Sequence, residues 1–240
     1  MSIQIKNLSF SYGDNKVLDN LSLNIEDGDL TAIMGLSGCG KTTLLRILLG
    51  LNKPSSGEII LEGLNFKNES IESIRKYISY IPQHGALYPH LKIKENILLP
   101  IKIKRTMTDK DQEKIMELAS VCKIKVSLFN RYPSELSGGQ RQRVSVLRAL
   151  MMNTPYIFLD EPLSALDSIT KISIQKEFKS IFEENNKTIL MVTHSLTEAK
   201  YLCNKMIIMN QGVIEQYDTT SNVISSAKTP FVKEFISSQQ

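Results

Sequence analysis

The chain opens on alternation. Ile3 and Ile5, then Leu8 and Phe10, fall on one face of an extended segment, which predicts a strand over residues 3–12. Gly13-Asp14-Asn15 is a turn, and Leu21, Leu23 and Ile25 alternate in a second strand. After Asp27-Gly28 the pattern changes. Residues 30–34 are a continuous apolar run of the buried-strand type, and residues 43–49 run without a breaker to Gly50, as a helix with Gly50 near its C-cap. Residues 58–61 and 78–81 read as further strands, with a short helix over 71–76 and a loop over 84–90. From residue 93 to about 150 the spacing becomes helical. Ile115, Leu118, Ala119 and Cys122 recur on one face behind an N-cap region at Thr108-Asp109-Lys110-Asp111. Strands then return at 156–159, 188–192 and 205–209. A long helix covers 167–183, Asn210-Gln211-Gly212 is a hairpin turn onto 213–216, and an amphipathic helix over 231–236 closes the pattern. No repeat, low-complexity segment or flexible linker interrupts it.

Two loops in this pattern carry chemistry. Gly35-Leu36-Ser37-Gly38-Cys39-Gly40-Lys41-Thr42 lies between a predicted strand and a predicted helix and fits G-x-x-x-x-G-K-[ST]. Glycines there let successive N–H groups close on phosphate oxygens, and the helix N-terminus adds its positive dipole end. Lys41 is placed to reach the β- and γ-phosphates and Thr42 to bind Mg²⁺. The apolar strand at 156–159 ends in Asp160-Glu161-Pro162. That order places Asp160 on the Mg²⁺, directly or through water, and leaves Glu161 to act on an attacking water. His194 follows another core strand, on the side where α/β sheets bind ligands. Tyr12, at a strand end, offers a ring on which a purine can stack. Ser137 with Gly138 and Gly139 opens a helix and forms a second anion-binding N-terminus, for which a chain with one P-loop has no evident use.

Charge and cysteine content narrow the picture only slightly. The 240 residues hold 29 basic and 25 acidic side chains, a net of +4, too little to argue for nucleic acid. The excess is concentrated between Lys92 and Lys125, where nine basic residues face five acidic ones; this is expected to be a solvated helix surface. Cys39, Cys122 and Cys203 are widely spaced and suggest neither a disulfide framework nor a zinc site, as in a reducing compartment. Cys39 is expected to sit in the phosphate nest as a reactive thiolate that ATP would protect. No apolar run is long enough to span a membrane, so any membrane role is expected to come through a partner.

Leu136-Ser137-Gly138-Gly139-Gln140 is the signature sequence of ATP-binding cassettes. Over essentially its full length the chain resembles the nucleotide-binding subunit of ABC transporters. The resemblance implies an α/β fold: a RecA-like P-loop NTPase core with an antiparallel β-subdomain, over residues 1–88 and 156–240, and an inserted α-helical subdomain over 89–155. It implies Mg²⁺-dependent ATP hydrolysis with Glu161 as catalytic carboxylate, assisted by His194, Lys41 and Gln83. Tyr12 matches the aromatic loop under the base. Gly35, Ser37, Gly38, Cys39, Gly40, Lys41, Thr42 and Thr43 match the phosphate-binding loop, and Thr42, Gln83 and Asp160 the metal positions. Ser164-Ala165-Leu166-Asp167 matches the loop that ends in Asp167 near the nucleotide.

Similar proteins form a head-to-tail homodimer in which Ser137, Gly138, Gly139 and Gln140 of one copy cap the ATP of the other, which explains the second anion site. The resemblance further implies separate transmembrane permease subunits, a solute-binding protein, a place on the cytoplasmic face of the inner or plasma membrane, and no nucleic-acid partner. Arg131-Tyr132-Pro133-Ser134-Glu135, residues 163–170 and the ending Pro230-Phe231-Val232-Lys233-Glu234-Phe235-Ile236 are most similar to importer ATPases for osmoprotectants and other quaternary amines. Polar amino acid importers share much of this pattern, and no tandem regulatory domain is expected after Gln240. An ATPase of a lipid or lipoprotein transporter, and a soluble ATPase of the same family acting on DNA or ribosomes, are the alternatives.

Overall fold

The computed structural model describes residues 2–164, 166–184 and 187–239. Its strands are β1 (Ser2–Tyr12), β2 (Asn15–Glu26), β3 (Leu30–Gly35), β4 (Ser56–Leu61), β5 (Leu64–Asn65), β6 (Ile78–Ile81), β7 (Tyr156–Asp160), β8 (Thr188–Val192), β9 (Lys205–Asn210) and β10 (Val213–Thr219). Its helices are α1 (Lys41–Leu48), α2 (Ile71–Arg75), α3 (Ile93–Lys104), α4 (Asp109–Val121), α5 (Gly138–Met151), α6 (Ser168–Glu184), α7 (Leu196–Leu202), α8 (Thr220–Ser225) and α9 (Pro230–Ser237). One sheet is antiparallel, in the order β2-β1-β4-β5. The other has six strands in the order β10-β9-β3-β8-β7-β6, parallel except for the β10 edge.

Period-two alternation along the parallel strands divides the apolar side chains between two cores. Ile33, Phe158, Leu190, Val192 and Ile207 face the antiparallel sheet and α1, packing with Ile3, Ile5, Leu21, Ile25 and Leu44. Their neighbours in sequence, Ala32, Met34, Ile157, Leu159, Met191 and Ile208, turn to the opposite face and pack with Leu147 of α5, Phe178 and Phe182 of α6, and Ala199 of α7. The apolar faces of α3 and α4, including Ile97, Leu98, Ile115 and Leu118, belong to that same second core.

The helical stretch between β6 and β7 comprises α3, α4 and α5, with breaks before Thr108 and Ser137 as the sequence pattern predicts. A capping box at Thr108 and Asp111 starts α4, and Arg105 just beyond α3 grips the Asp111 carboxylate at 2.7 and 2.8 Å. Those bonds hold the Asp111 carboxyl far below the usual carboxylate range. Side chains of α6 pack directly on α5 at Gly139: a Cβ there would lie 2.7 Å from Thr170 Cγ2 and 3.1 Å from Ile174 Cδ1. Buried Glu177 of α6 also forms an ion pair with Arg143 of α5 at 2.7 Å. Three short elements, β5, α7 and α8, have no counterpart in the sequence pattern, and β10 runs three residues past its expected end.

The β9–β10 turn joins two distant parts of the chain. Gly212 has φ 82° and its N–H donates to the Cys39 carbonyl at 3.1 Å, while its own carbonyl accepts from Asp19 N at 3.0 Å. The turn thus ties the P-loop to β2. A Cβ at this position would lie 2.4 Å from the Val17 carbonyl oxygen. Gly212→Ala is expected to lower unfolding stability by about 2–3 kcal/mol, through left-handed strain and backbone displacement. Urea denaturation should show a lower midpoint with an unchanged slope.

Candidate active site

Register brings the chemical groups to one edge. Ile33 of β3 and Asp160 of β7 both pair with Val192 of β8, so the three strands end at nearly the same level. Their continuations are the P-loop, Glu161 and Thr193-His194. Thr193 N donates back to Ile33 O at 3.2 Å and Glu161 N to Val192 O at 3.0 Å, which carries the sheet's order one residue past its ends.

The P-loop is shaped by three glycines in the left-handed region. Gly35, Gly38 and Gly40 have φ of 148°, 78° and 106°. A Cβ on Gly35 would lie 2.2 Å from the Met209 carbonyl oxygen, and one on Gly40 would lie 2.6 Å from Leu18 Cδ2. Lys41 is buried, and its ammonium donates to the carbonyls of Gly35 at 3.0 Å and Leu36 at 2.8 Å. Ser37, Gly38, Gly40, Lys41, Thr42 and Thr43 line a cleft of about 290 Å³ whose other wall is Glu161 and His194.

Thr42 Oγ1 donates to Asp160 Oδ1 at 3.5 Å, and Tyr80 of β6 donates its hydroxyl to Asp160 Oδ2 at 3.4 Å. Burial, then the neighbouring charge of Glu161, raises the Asp160 pKa above the ordinary carboxylate value. Burial and the Asp160 carboxylate push the Tyr80 phenol up to about 12, so it stays a donor. A hydroxyl and a carboxylate converging from two elements are hard oxygen ligands, and Mg²⁺ characteristically takes only one or two such protein ligands beside phosphate and water. The donor set fits the ion.

Glu161 is where the remaining groups meet. Gln83 donates its amide N–H to Glu161 Oε2 at 3.1 Å, and His194 Nε2 lies 2.7 Å from Glu161 Oε1. Glu161 has φ 48°, the left-handed region that a residue with a Cβ seldom adopts. Its amide is held by Val192, and its carbonyl accepts from Ser164 N at 3.3 Å and Ser164 Oγ at 3.0 Å. The backbone is bent so that the side chain turns back over the P-loop.

The other expected site residues lie apart from this cleft. Ser137 caps α5: its hydroxyl accepts from Gln140 N at 3.3 Å and its N–H donates to Gln140 Oε1 at 2.9 Å, with Gly138 and Gly139 in the first turn. None of these four lines the P-loop cleft. Asp167 accepts from Thr170 N at 3.0 Å at the start of α6, and that bond lowers its pKa; Ala165, in the same loop, lies outside the described residues. Tyr12 is half exposed, packs edge-on against Phe10 with ring centroids 4.7 Å apart, and accepts from Asn52 Nδ2 at 2.7 Å. Gln83 opens a 3-10 turn (Gln83–Gly85) whose end is bonded to α5. Gly85 O accepts from Ser145 Oγ at 2.8 Å and Arg148 Nη2 at 3.0 Å, and Ala86 O from Arg148 Nη1 at 3.0 Å.

One expectation is corrected. Cys39 is 4% exposed, and its thiol packs beneath the loop among core residues instead of facing the nest. Only its backbone belongs to the loop surface. Sequence reading also misses Tyr80 and Asn52, which an apolar strand and a polar turn disguise, and the pair Lys171 and Glu198 behind His194.

Residues 18–164 match the family model described as ABC transporter. The chain is similar to the carnitine transport ATP-binding protein OpuCA of Listeria monocytogenes, 40% identical over 224 residues, which are 93% of this chain and 56% of that protein. It is similar to the choline transport ATP-binding protein OpuBA of Bacillus subtilis, 37% identical over 239 residues, 99% of this chain and 63% of the relative. The chain therefore spans less than two thirds of the length of either relative. Among solved structures, a dimeric post-hydrolysis ATP-binding cassette bound to ADP and Pi superposes with a TM-score of 0.80 at 33% identity, over 91% of this chain and 98% of that one.

The electrostatics and burial of the site have measurable consequences. Because folding raises the Asp160 pKa, ionised Asp160 costs the native state stability, and the cost grows as pH rises through its titration. Asp160→Asn is expected to raise the thermal midpoint at pH 7, by a margin that shrinks towards acid pH. Cys39, Cys122 and Cys203 are all buried, so maleimide labelling of the native chain should be roughly tenfold or more slower than in urea, with Cys39 not singled out in a peptide map.

Proposed function

The chain belongs to the ABC transporter family, and on that premise we propose that it binds and hydrolyses ATP as the nucleotide-binding subunit of a membrane transporter. The observation that carries the reading is the meeting of Gln83, His194 and Glu161 over the P-loop, beside the Thr42–Asp160 pair. The loop amides and Lys41 bind the phosphates, Thr43 lies at the same wall, and the Tyr12 ring takes the base. Thr42 and Asp160 hold Mg²⁺, which when bound offsets phosphate charge. Glu161 orients a water behind the γ-phosphate and draws off its proton, while His194 and Gln83 hold that carboxylate in place.

The cleft has the P-loop as one wall and Glu161 with His194 as the other, and the signature segment, exposed at Ser137, lies outside it on the same chain. A second copy in head-to-tail arrangement brings its Ser137, Gly138, Gly139 and Gln140 to the nucleotide, with Asp167 beside them. This supports a homodimer that closes on two ATPs and opens after hydrolysis, a population shift driven by the ligand. Among the described residues no helix is long and apolar enough to cross a membrane. The chain works beside separate permease subunits on the cytoplasmic face, docked through the helical insertion over 89–155, with a solute-binding protein completing an importer. A quaternary-amine or similar osmoprotectant cargo is the reading in keeping with the carnitine and choline relatives.

Glu161→Gln tests the mechanism, since it keeps shape and reach but removes basicity. The variant is expected to bind ATP, hydrolyse it about 10²-fold or more slowly, and elute as a dimer with ATP on size-exclusion chromatography. Turnover at the wild-type rate would remove Glu161 from its role. An inactive variant that stays monomeric with ATP would overturn the sandwich.

A further inference from the structure

Behind His194 lies an ionic network that the proposed roles of Glu161, His194 and Gln83 leave unexplained. Glu198, in the first turn of α7, is 2% exposed. One carboxylate oxygen accepts a hydrogen bond from the Thr193 hydroxyl, and the other is paired with the Lys171 ammonium of α6. Thr193 Oγ1 in turn accepts from Ser195 N at 3.1 Å, and Ser195 Oγ accepts from Glu198 N at 3.3 Å. The residues immediately before and after His194 are therefore both bonded into one closed ring that Glu198 completes. His194 itself is exposed by nearly half, and its imidazole meets Glu161. A side chain so open to solvent has little packing to fix it; its backbone must be fixed instead.

The network also reaches the cleft. Glu161, Ser164, Lys171, Thr193, His194 and Glu198 line a single small cavity of about 190 Å³. Lys171 stands one turn into α6, the helix that Asp167 opens, and Lys171 N donates to Asp167 O at 2.9 Å. A carboxylate buried this deeply is retained at a desolvation cost, which its Lys171 and Thr193 partners offset. Well-packed apolar residues would fill the same space without that cost, so the specific geometry is what the pair provides.

We propose that Glu198, held by Lys171, is a positioning residue for hydrolysis: it fixes the loop that sets His194 against Glu161 and ties that loop to the helix beginning at Asp167. This rests on the proposed ATPase function. Misplacing a reacting group by about 1 Å costs on the order of 10²-fold in rate, and loss of Glu198 frees both neighbours of His194 at once.

The test is a double-mutant cycle on the full chain with Mg²⁺ and ATP. Glu198→Ala is expected to lower kcat by about tenfold to a hundredfold while affinity for a fluorescent ATP analogue stays within about twofold. Lys171→Met should fall in the same direction. Glu198→Gln, which still accepts from Thr193, should recover part of the rate. In a His194→Ala background, Glu198→Ala should have almost no further effect, because what it positions is already gone. A general structural role would instead give independent losses that multiply, with nucleotide affinity falling in parallel, and that result overturns the proposal. So does wild-type turnover in both Glu198→Ala and Lys171→Met. If Glu198→Ala does not fold, Lys171→Met and Glu198→Gln carry the same cycle. Wild-type turnover in His194→Ala itself would show that the reading of the active site, on which the proposal stands, has failed; slow His194→Ala with fast Glu198→Ala would sink the proposal alone.

Discussion

The parallel pairing of β3, β8 and β7 is the constraint on which the site depends. A phosphate nest, two carboxylates and an imidazole come from positions spread over most of the chain, and no local preference can hold them within a few ångströms. The hydrogen-bond ladder does, because Ile33, Val192 and Asp160 share one level. Glu161 and His194 each follow within two positions of the last ladder bond of their strand, where little freedom remains. The two cores on either face of the sheet then act as clamps. The antiparallel sheet supports the loop from below through Leu18 and the Gly212 turn, and α6 and α7 support the strand ends from the other side.

Helix α5 gives the molecule a second level of organisation. Its N-terminus is the Ser137 cap, and further along the same rigid cylinder Ser145 and Arg148 hold the turn that begins with Gln83. A helix of 14 residues spans about 20 Å. The group that touches Glu161 and the cap proposed to serve another copy's nucleotide are thus fixed to one body, with α6 side chains packed on α5 at Gly139.

Much of this is legible in the sequence, for a physical reason. The P-loop, the strand ending in Asp160 and the Ser137 cap are local devices: a turn that only glycine permits, an apolar run, a side chain that bonds three residues on. Local devices leave local patterns. What escapes depends on contacts between distant residues. Tyr80 alternates like any strand residue until β6 pairs with β7 and brings it to Asp160. Lys171 and Glu198 are ordinary helix charges until α6 and α7 pack together. Cys39 reads as part of the nest because its neighbours form one, yet the turn that exposes their amides directs its thiol inward. Elements such as β5, with two residues, and α7, with seven, are too short for periodicity to register.

Glu161 adds a historical dimension through its backbone. At φ 48° any residue with a Cβ is strained, by about 1–3 kcal/mol, and glycine would relax it. Random drift at this codon is therefore biased: glycine would make a more comfortable fold, and under the proposed function the demand for turnover opposes it. A descendant lineage freed from that demand should lose the carboxylate early, while the glycines of the P-loop, which the fold itself needs against Met209 and Leu18, would persist as a record of the abandoned chemistry.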